Sequence, residues 1–162
     1  MGNWKIICQR HSIYRTWTEP NSPWQNLAEK AGGVIKARCR DMMRRTNTPI
    51  VLWDYCIEYN SELRSITATK NIELGGRTPF EKVMGYTPDI SELVEFEWYQ
   101  WVWFFASTKL DRVQLGRWLG PAHNAGQGLA YYILNNLGEV VMRSSISPIP
   151  KDEENSIELQ ER

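Results

Sequence analysis

Basic residues recur along one segment of the chain, and their types suit the binding of a polyanion. From residue 25 to about residue 45, apolar residues recur at spacings of three and four, which is typical of a helix. After Glu29 the segment carries a single acidic residue, Asp41, and six basic ones: Lys30, Lys36, Arg38, Arg40, Arg44 and Arg45. Lysine and arginine neutralise phosphates, so the segment predicts a DNA-binding face. A solvated helix face is the ordinary alternative for such a run.

The formal net charge of zero hides a strong segregation of charge along the chain. Residues 1–50 carry nine Lys and Arg against three acidic residues, a balance of +6. Residues 51–105 carry four basic and nine acidic residues, a balance of −5. This asymmetry favours a protein with one surface directed at a polyanion.

Other kinds of site find little support in the sequence. The three cysteines form no CxxC pair, and with two histidines there is no zinc-knuckle spacing. No P-loop and no GxSxG motif occurs. The longest apolar and aromatic run, residues 96–106, is interrupted by Glu97 and Gln100 and is too short to span a bilayer. We therefore expect an intracellular protein with reduced thiols and no membrane partner.

The elements that must position the basic residues are helical in the first part of the chain. Residues 13–17 have the β-branched and aromatic bias of a short strand, and a loop with two prolines follows. After the basic helix, Pro49 opens a second helix that runs to about Leu63. Thr78-Pro79-Phe80-Glu81 predicts a helix start with an N-cap, a proline in the first turn and an early carboxylate. The second helix is expected to direct five residues inward: Val51, Leu52, Tyr55, Cys56 and Tyr59.

The hydrophobic period changes near Phe96, from the helical repeat to the alternation of strands. Residues 96–105, 117–120, 131–134 and 140–143 predict short strands, and residues 135–138 predict a hairpin loop. Several short strands within about 50 residues indicate a small barrel. Residues 149–162 are polar and acidic and predict a disordered tail.

The order of several short motifs resembles copia-like retrotransposon integrases, from residue 13 to residue 148. The first is Pro20-Asn21-Ser22-Pro23-Trp24-Gln25-Asn26-Leu27-Ala28-Glu29, and Trp53 follows in the next helix. The later motifs are Arg77-Thr78-Pro79-Phe80-Glu81, Gly85-Tyr86-Thr87-Pro88-Asp89-Ile90-Ser91, Lys109-Leu110-Asp111, Gly116-Arg117-Trp118-Leu119-Gly120-Pro121, Tyr132-Ile133-Leu134, Gly138-Glu139-Val140-Val141 and Arg143-Ser144-Ser145. Each motif alone is a weak signal, whereas their order and spacing together are specific.

The resemblance implies an α+β chain: an incomplete ribonuclease H-like core fragment over residues 1–92, then a small SH3-like β-barrel over residues 95–148. In that family an Asp, Asp, Glu trio holds two magnesium or manganese ions, which activate a hydroxyl and stabilise the leaving oxygen of a phosphodiester. Glu29 would be the third carboxylate, catalytic and metal-binding. Lys30, Lys36, Arg40 and Arg44 would bind DNA phosphates. Trp24, Gln25 and Asn26 would contact bases or sugars, with local packing and capping as the alternative.

The chain departs from the family at the two aspartates. No Asp lies between Met1 and Arg40, and neither Asp41 nor Asp54 matches a family position. We therefore expect a fragment, a truncated reading frame or a domesticated remnant that neither cuts nor joins DNA alone and binds no metal tightly. Its expected partners are DNA and the missing upstream half or another integrase chain, in the nucleus if it acts as an integrase. A non-enzymatic module that recognises chromatin or protein through the barrel is the alternative.

Overall fold

A computed structural model of the chain describes residues 2–14, 19–20, 22, 26–68, 70, 74–105, 113–123, 125, 129–150 and 153, and the side chains of these from residue 6 onward. It divides into two compact units, Met1–Val34 and Ile35–Arg162. Among the described residues, no helix combines the length and the apolar character needed to cross a membrane.

The first unit holds α1 (Gly2–Arg10) and the beginning of α2 (Leu27–Thr46). The sequence analysis missed α1. Ile13 and Tyr14 belong to no strand, while residues 15–17 of the predicted strand lie outside the described residues. The second unit receives the rest of α2, so the predicted basic helix is confirmed over its described part.

The second helix begins later than predicted. Residues Ile50–Leu52 form a 3₁₀ turn, and α3 runs over Trp53–Ile66. Leu52, Cys56 and Tyr59 are buried, but Val51 is 74% exposed, so the inward orientation predicted for it was wrong. The physical reason is that a 3₁₀ turn has about 3.0 residues per turn, which shifts the residues before Trp53 out of phase with the α-helix.

The predicted N-cap motif is confirmed at α4 (Pro79–Met84). The Thr78 hydroxyl accepts a hydrogen bond from the Glu81 backbone N–H, and the Glu81 carboxylate accepts one from the Thr78 backbone N–H, at 3.1 and 2.8 Å. Gly85 ends the helix in the left-handed conformation. A further short helix, α5 (Ser91–Val94), follows and was not foreseen.

The described strands that follow α5 form one antiparallel sheet. Its strands are β1 (Trp101–Phe105), β2 (Val113–Pro121), β3 (Tyr131–Leu134), β4 (Val140–Arg143) and β5 (Ile146–Pro148). They pair in the order β4-β3-β2-β1-β5, as an open five-stranded sheet in the described part of the chain. The bounds of β3 and β4 agree with the prediction, the predicted strand over residues 117–120 lies within β2, and β5 was not predicted.

The first half of the predicted strand over residues 96–105 is a turn instead. Tyr99 has a left-handed backbone with φ of 64°, and the Gln100 N–H donates to the Glu97 carbonyl oxygen at 3.1 Å. Phe96 and Trp98, on this turn, are both buried in the core cluster.

One hydrophobic core joins the helices and the sheet of the second unit. The Tyr59 ring of α3 stacks on Trp98 at 5.5 Å and meets the edge of Trp118 in β2 at 5.4 Å. The Trp98 indole N–H donates to the buried Thr48 hydroxyl at 3.1 Å. Residues on both sides of position 92 therefore pack together, and the observed architecture is α+β. The predicted boundary between a ribonuclease H-like fragment over residues 1–92 and an SH3-like barrel over residues 95–148 stays a prediction.

Candidate nucleic-acid interface

The basic part of α2 in the second unit is held by its apolar side. Cys39 and Met43 are buried in the core, and the Cys39 thiol lies 3.8 Å from the Trp53 carbonyl oxygen. Beyond the helix end, the Thr48 N–H donates to the Met43 carbonyl oxygen at 2.9 Å. Because this side is anchored, the remaining positions of the helix face outward with fixed spacing.

Three cations lie on one side of this helix, and we call them the basic edge: Lys36, Arg40 and Arg44. All three are exposed, and successive members are four residues apart, a rise of about 6 Å along the axis. Among the described residues, neither Lys36 nor Arg40 has a partner for an ion pair or a side-chain hydrogen bond. Arg44 donates to Asp41 at 3.3 Å.

The other cations of the helix lie across its exposed face from the basic edge. Arg38 and Arg45 are exposed, with Asp41 between them in the sequence. Arg45 also donates to the Asp41 carboxylate. The hydrogen bond from Arg45, followed by the attraction of the two guanidinium groups, lowers the pKa of Asp41, and the same carboxylate raises the pKa of Arg45. The basic residues that were predicted to form one DNA face therefore lie on two sides of the helix, and their binding to DNA stays a prediction.

A groove of about 680 Å³ opens beside Arg38, Asp41 and Arg45. Its walls come from α2, α3, α5 and the turn before β1. Asn60 lies in the groove wall although its residue surface is only 3% exposed. Its amide Nδ2 donates to the Cys56 carbonyl oxygen at 2.8 Å, whereas its Oδ1 receives no hydrogen bond from any described residue.

Glu29 lies in the first turn of α2, as the sequence predicted. Its backbone N–H donates to the Asn26 Oδ1 at 3.1 Å, and the Asn26 Nδ2 donates to the Glu29 carboxylate at 3.3 Å. Asn26 thus caps the helix, which is the local alternative to a base contact. Lys30 is exposed. Trp24 and Gln25 lie outside the described residues, so their predicted DNA contacts stay predictions.

No group of three or more His, Cys, Asp or Glu side chains converges within the described ranges. Asp41 is engaged by two arginines, and the Asp54 carboxylate accepts the N–H of Tyr55 at 3.0 Å. The magnesium or manganese site that the resemblance implies, with Glu29 as a ligand, therefore stays a prediction.

Sequence reasoning missed the groove and Asn60. The available signal was an amide on the apolar face of α3, between Cys56 and Leu63, where a buried polar group needs a partner. The groove itself has no local signature, because its walls come from separate elements spread over residues 38–98.

Comparison of the chain with family models, with curated proteins and with solved structures gives no match in any of the three. Function is therefore argued from the chemistry and geometry of the site.

Proposed function

We propose that this chain binds duplex DNA without sequence preference, through the basic edge of α2. The observation that carries the proposal is that Lys36 and Arg40 are exposed, lie one helical turn apart and have no anionic partner among the described residues. Such a row of cations can neutralise several phosphates of one backbone strand, which releases condensed counterions. Neutralised phosphates stabilise a complex with any sequence.

The proposal extends to ancestry. We propose a fragment of a copia-like integrase, with a ribonuclease H-like piece before position 92 and an SH3-like barrel after position 95. Five short antiparallel strands between Trp101 and Pro148 support the second part. In this interpretation the partners are DNA and another integrase polypeptide, and the site of action is the nucleus.

The decisive experiment reverses two charges of the basic edge. The double variant Lys36→Glu with Arg40→Glu should lose binding to mixed-sequence duplex at low salt. The matched control is Arg77→Glu with Lys82→Glu, which makes the same change in net charge at exposed positions near α4. Only the first variant should fail, because only its positions face the phosphates.

Salt dependence gives the second measurement. The affinity of the wild type should fall linearly on a logarithmic scale, with a slope of about 0.9 per phosphate neutralised. Equal losses in both double variants would show that net charge alone matters. Unchanged affinity in the first variant would place the DNA surface elsewhere.

Glu29 is proposed as the ancestral metal ligand, and the 162-residue polypeptide is expected not to cut DNA by itself. An exposed carboxylate that already accepts a bond from Asn26 should hold magnesium weakly, because magnesium gives up its water reluctantly. The assay is magnesium- or manganese-dependent cleavage of a labelled duplex, with Glu29→Gln as control. Cleavage by the wild type that disappears in this variant would mean that a complete catalytic site is present.

A second candidate function is a module that binds protein or chromatin. The observation that favours it is a group of exposed apolar side chains in the 3₁₀ turn and at the first residue of α3: Ile50, Val51 and Trp53 are 80%, 74% and 54% exposed. Binding to chromatin proteins that is insensitive to salt, combined with salt-insensitive or absent DNA binding, would favour this function over the first.

A further inference from the structure

The outward face of α3 carries three carboxylates, which we call the acidic row: Asp54, Glu58 and Glu62. Asp54 and Glu58 are exposed, and the Glu62 side chain is 24% exposed. No lysine or arginine among the described residues forms an ion pair with any of the three. Burial raises the pKa of Tyr55, and the charges of Asp54 and Glu58 add to this rise, because this face has a negative potential.

The acidic row has the same spacing as the basic edge of α2 and the opposite sign. In each row the charged residues are four positions apart, which separates successive charges by about 6 Å along the helix. The third member of each row is already engaged, Arg44 by Asp41 and Glu62 by His123. The first two charges of each row therefore determine how well the rows fit each other.

The two rows do not meet within one copy of the chain. Both helices are fixed in the core cluster of the second unit, α2 by Cys39 and Met43 and α3 by Cys56. In this arrangement Lys36 and Arg40 form no ion pair with any residue that the structure describes. A row of carboxylates that pairs with the basic edge must therefore come from another molecule, and a second copy supplies one with matched spacing.

We propose that the acidic row of one copy binds the basic edge of a second copy, and that this contact competes with DNA. The self-association does not depend on DNA binding, whereas the competition rests on the proposed function. Carboxylates spaced along α3 occupy the same cations, Lys36 and Arg40, that neutralise phosphates in the DNA complex. The protein without DNA therefore covers part of its own DNA surface.

Exposed apolar side chains adjoin the acidic row and add to the contact. Each exposed ion pair contributes little, so charge alone does not hold two copies together. Trp53, which directly precedes Asp54, is 54% exposed, and Val51 is 74% exposed. Contact at this end of the row removes their apolar surface from water. We therefore expect a weak association that forms at high protein concentration and weakens as salt is added.

The decisive experiment reverses each row separately and then both together. One variant carries Lys36→Glu with Arg40→Glu, and the other carries Asp54→Lys with Glu58→Lys. Sedimentation equilibrium at low salt should show self-association of the wild type and a loss of at least about tenfold in each variant. The variant with all four changes has the wild-type net charge and exchanges the signs of the two rows. Its self-association should therefore be restored, which also shows that it is folded.

Matched controls separate the rows from net charge. Arg77→Glu with Lys82→Glu makes the same change in net charge as reversal of the basic edge, and Glu95→Lys with Glu139→Lys the same change as reversal of the acidic row. All four positions are exposed. Each row variant should associate much more weakly than its control. Equal losses in variant and control, a fourfold variant that stays monomeric, or a monomeric wild type would each overturn the proposal.

A DNA titration distinguishes this inference from the proposed function. Added duplex should dissociate the self-associated wild type, and duplex that leaves the association unchanged would refute the competition. Asp54→Lys with Glu58→Lys keeps the basic edge and should bind duplex more tightly than Glu95→Lys with Glu139→Lys, because no acidic row competes. Row-dependent association in a protein that binds no DNA would refute only the proposed function. DNA binding through the basic edge by a protein that stays monomeric would refute only the self-association.

Discussion

The core of the second unit and the basic edge of α2 are built from the same helix but depend on different properties of its residues. On the buried side, Cys39 and Met43 meet α3 and contribute to a cluster that continues into Trp118 and Ile133 of the sheet. On the exposed side, Lys36 and Arg40 make no ion pair with any described residue. The comparison indicates that different side chains of α2 determine the stability of the fold and the proposed DNA binding. Mutations on the buried side should therefore change stability, and mutations on the exposed side should change DNA affinity.

The largest effect on stability is expected at Trp118. This side chain is fully buried and meets the rings of Tyr59, Phe96 and Tyr131 at 5.4, 5.9 and 6.3 Å. Trp118→Ala should lower the free energy of unfolding by about 3–5 kcal/mol, because it removes these contacts and leaves a cavity. Urea denaturation measures the change, and a loss below about 1 kcal/mol would show that the three rings do not share a core.

Gly116 in β2 tests the packing of the core at a second position, because side chains and backbone of the sheet approach its α-carbon closely. A β-carbon there would be 2.5 Å from the Cγ2 of Ile133 and 2.8 Å from the Leu134 carbonyl oxygen. Gly116→Ala should therefore destabilise the protein by about 1–3 kcal/mol in thermal or urea unfolding. The matched control is Gly33→Ala on α2, where a β-carbon meets nothing within 4 Å. That change should stabilise the helix by up to about 1 kcal/mol, and equal losses at both positions would contradict the packing argument.

Thr78 tests an intermediate case, a polar residue that stabilises an element outside the core. Thr78→Ala removes the hydroxyl that accepts the Glu81 N–H, and it should cost about 1 kcal/mol of unfolding free energy. Thr78→Ser keeps the acceptor and should retain most of the stability. If serine were as damaging as alanine, the methyl group rather than the cap would be responsible.

These contrasts also explain how much of the structure the sequence predicted. The helix over α2, the cap at Thr78 and the strands β3 and β4 depend on local periodicity and turn residues, and they were predicted correctly. The 3₁₀ turn before Trp53 and the turn at Tyr99 were not. Both arise because the chain must place Leu52, Phe96 and Trp98 in a common core, which is a tertiary constraint with no local signature.

The candidate site divides in the same way. The composition of α2 predicted a basic face, but helix geometry separates Lys36 and Arg40 from Arg38 and Arg45. That Arg38 and Arg45 border the groove follows only from the positions of α3 and α5, which form its other walls. Asn26 was predicted as a DNA contact with capping as the alternative, and its bonds to Glu29 show the capping contact.

Tyr59, which contacts both the core and the groove, should make the stability of the fold depend on alkaline pH. Burial, with a smaller contribution from the carboxylates of Glu62 and Glu97, raises its pKa from 10.0 to about 12. A raised pKa means that the folded state favours the neutral phenol. The stability from Tyr59 is therefore complete below pH 10.0 and is lost as the pH rises toward about 12. Tyr59→Phe should reduce this alkaline loss in urea unfolding, and an unchanged pH profile would refute the assignment.

The smallest effect on stability, and the sharpest test of the comparison, is expected from Arg40→Glu. Lys36, Arg40 and Arg44 are like charges four residues apart, and each such pair costs a helix about 0.2–0.5 kcal/mol. Arg44 is already paired with Asp41, so the main change is at the Lys36–Arg40 pair. A carboxylate at position 40 turns that pair from repulsive to attractive, so stability should rise by about 0.4–1 kcal/mol while the affinity for duplex DNA falls. Arg40→Gln, which only removes the repulsion, should give about half the gain. Urea unfolding and a DNA titration under the same conditions measure the two quantities. A loss of stability that accompanies the loss of binding would mean that Arg40 supports the fold, and that the two sides of α2 are not independent.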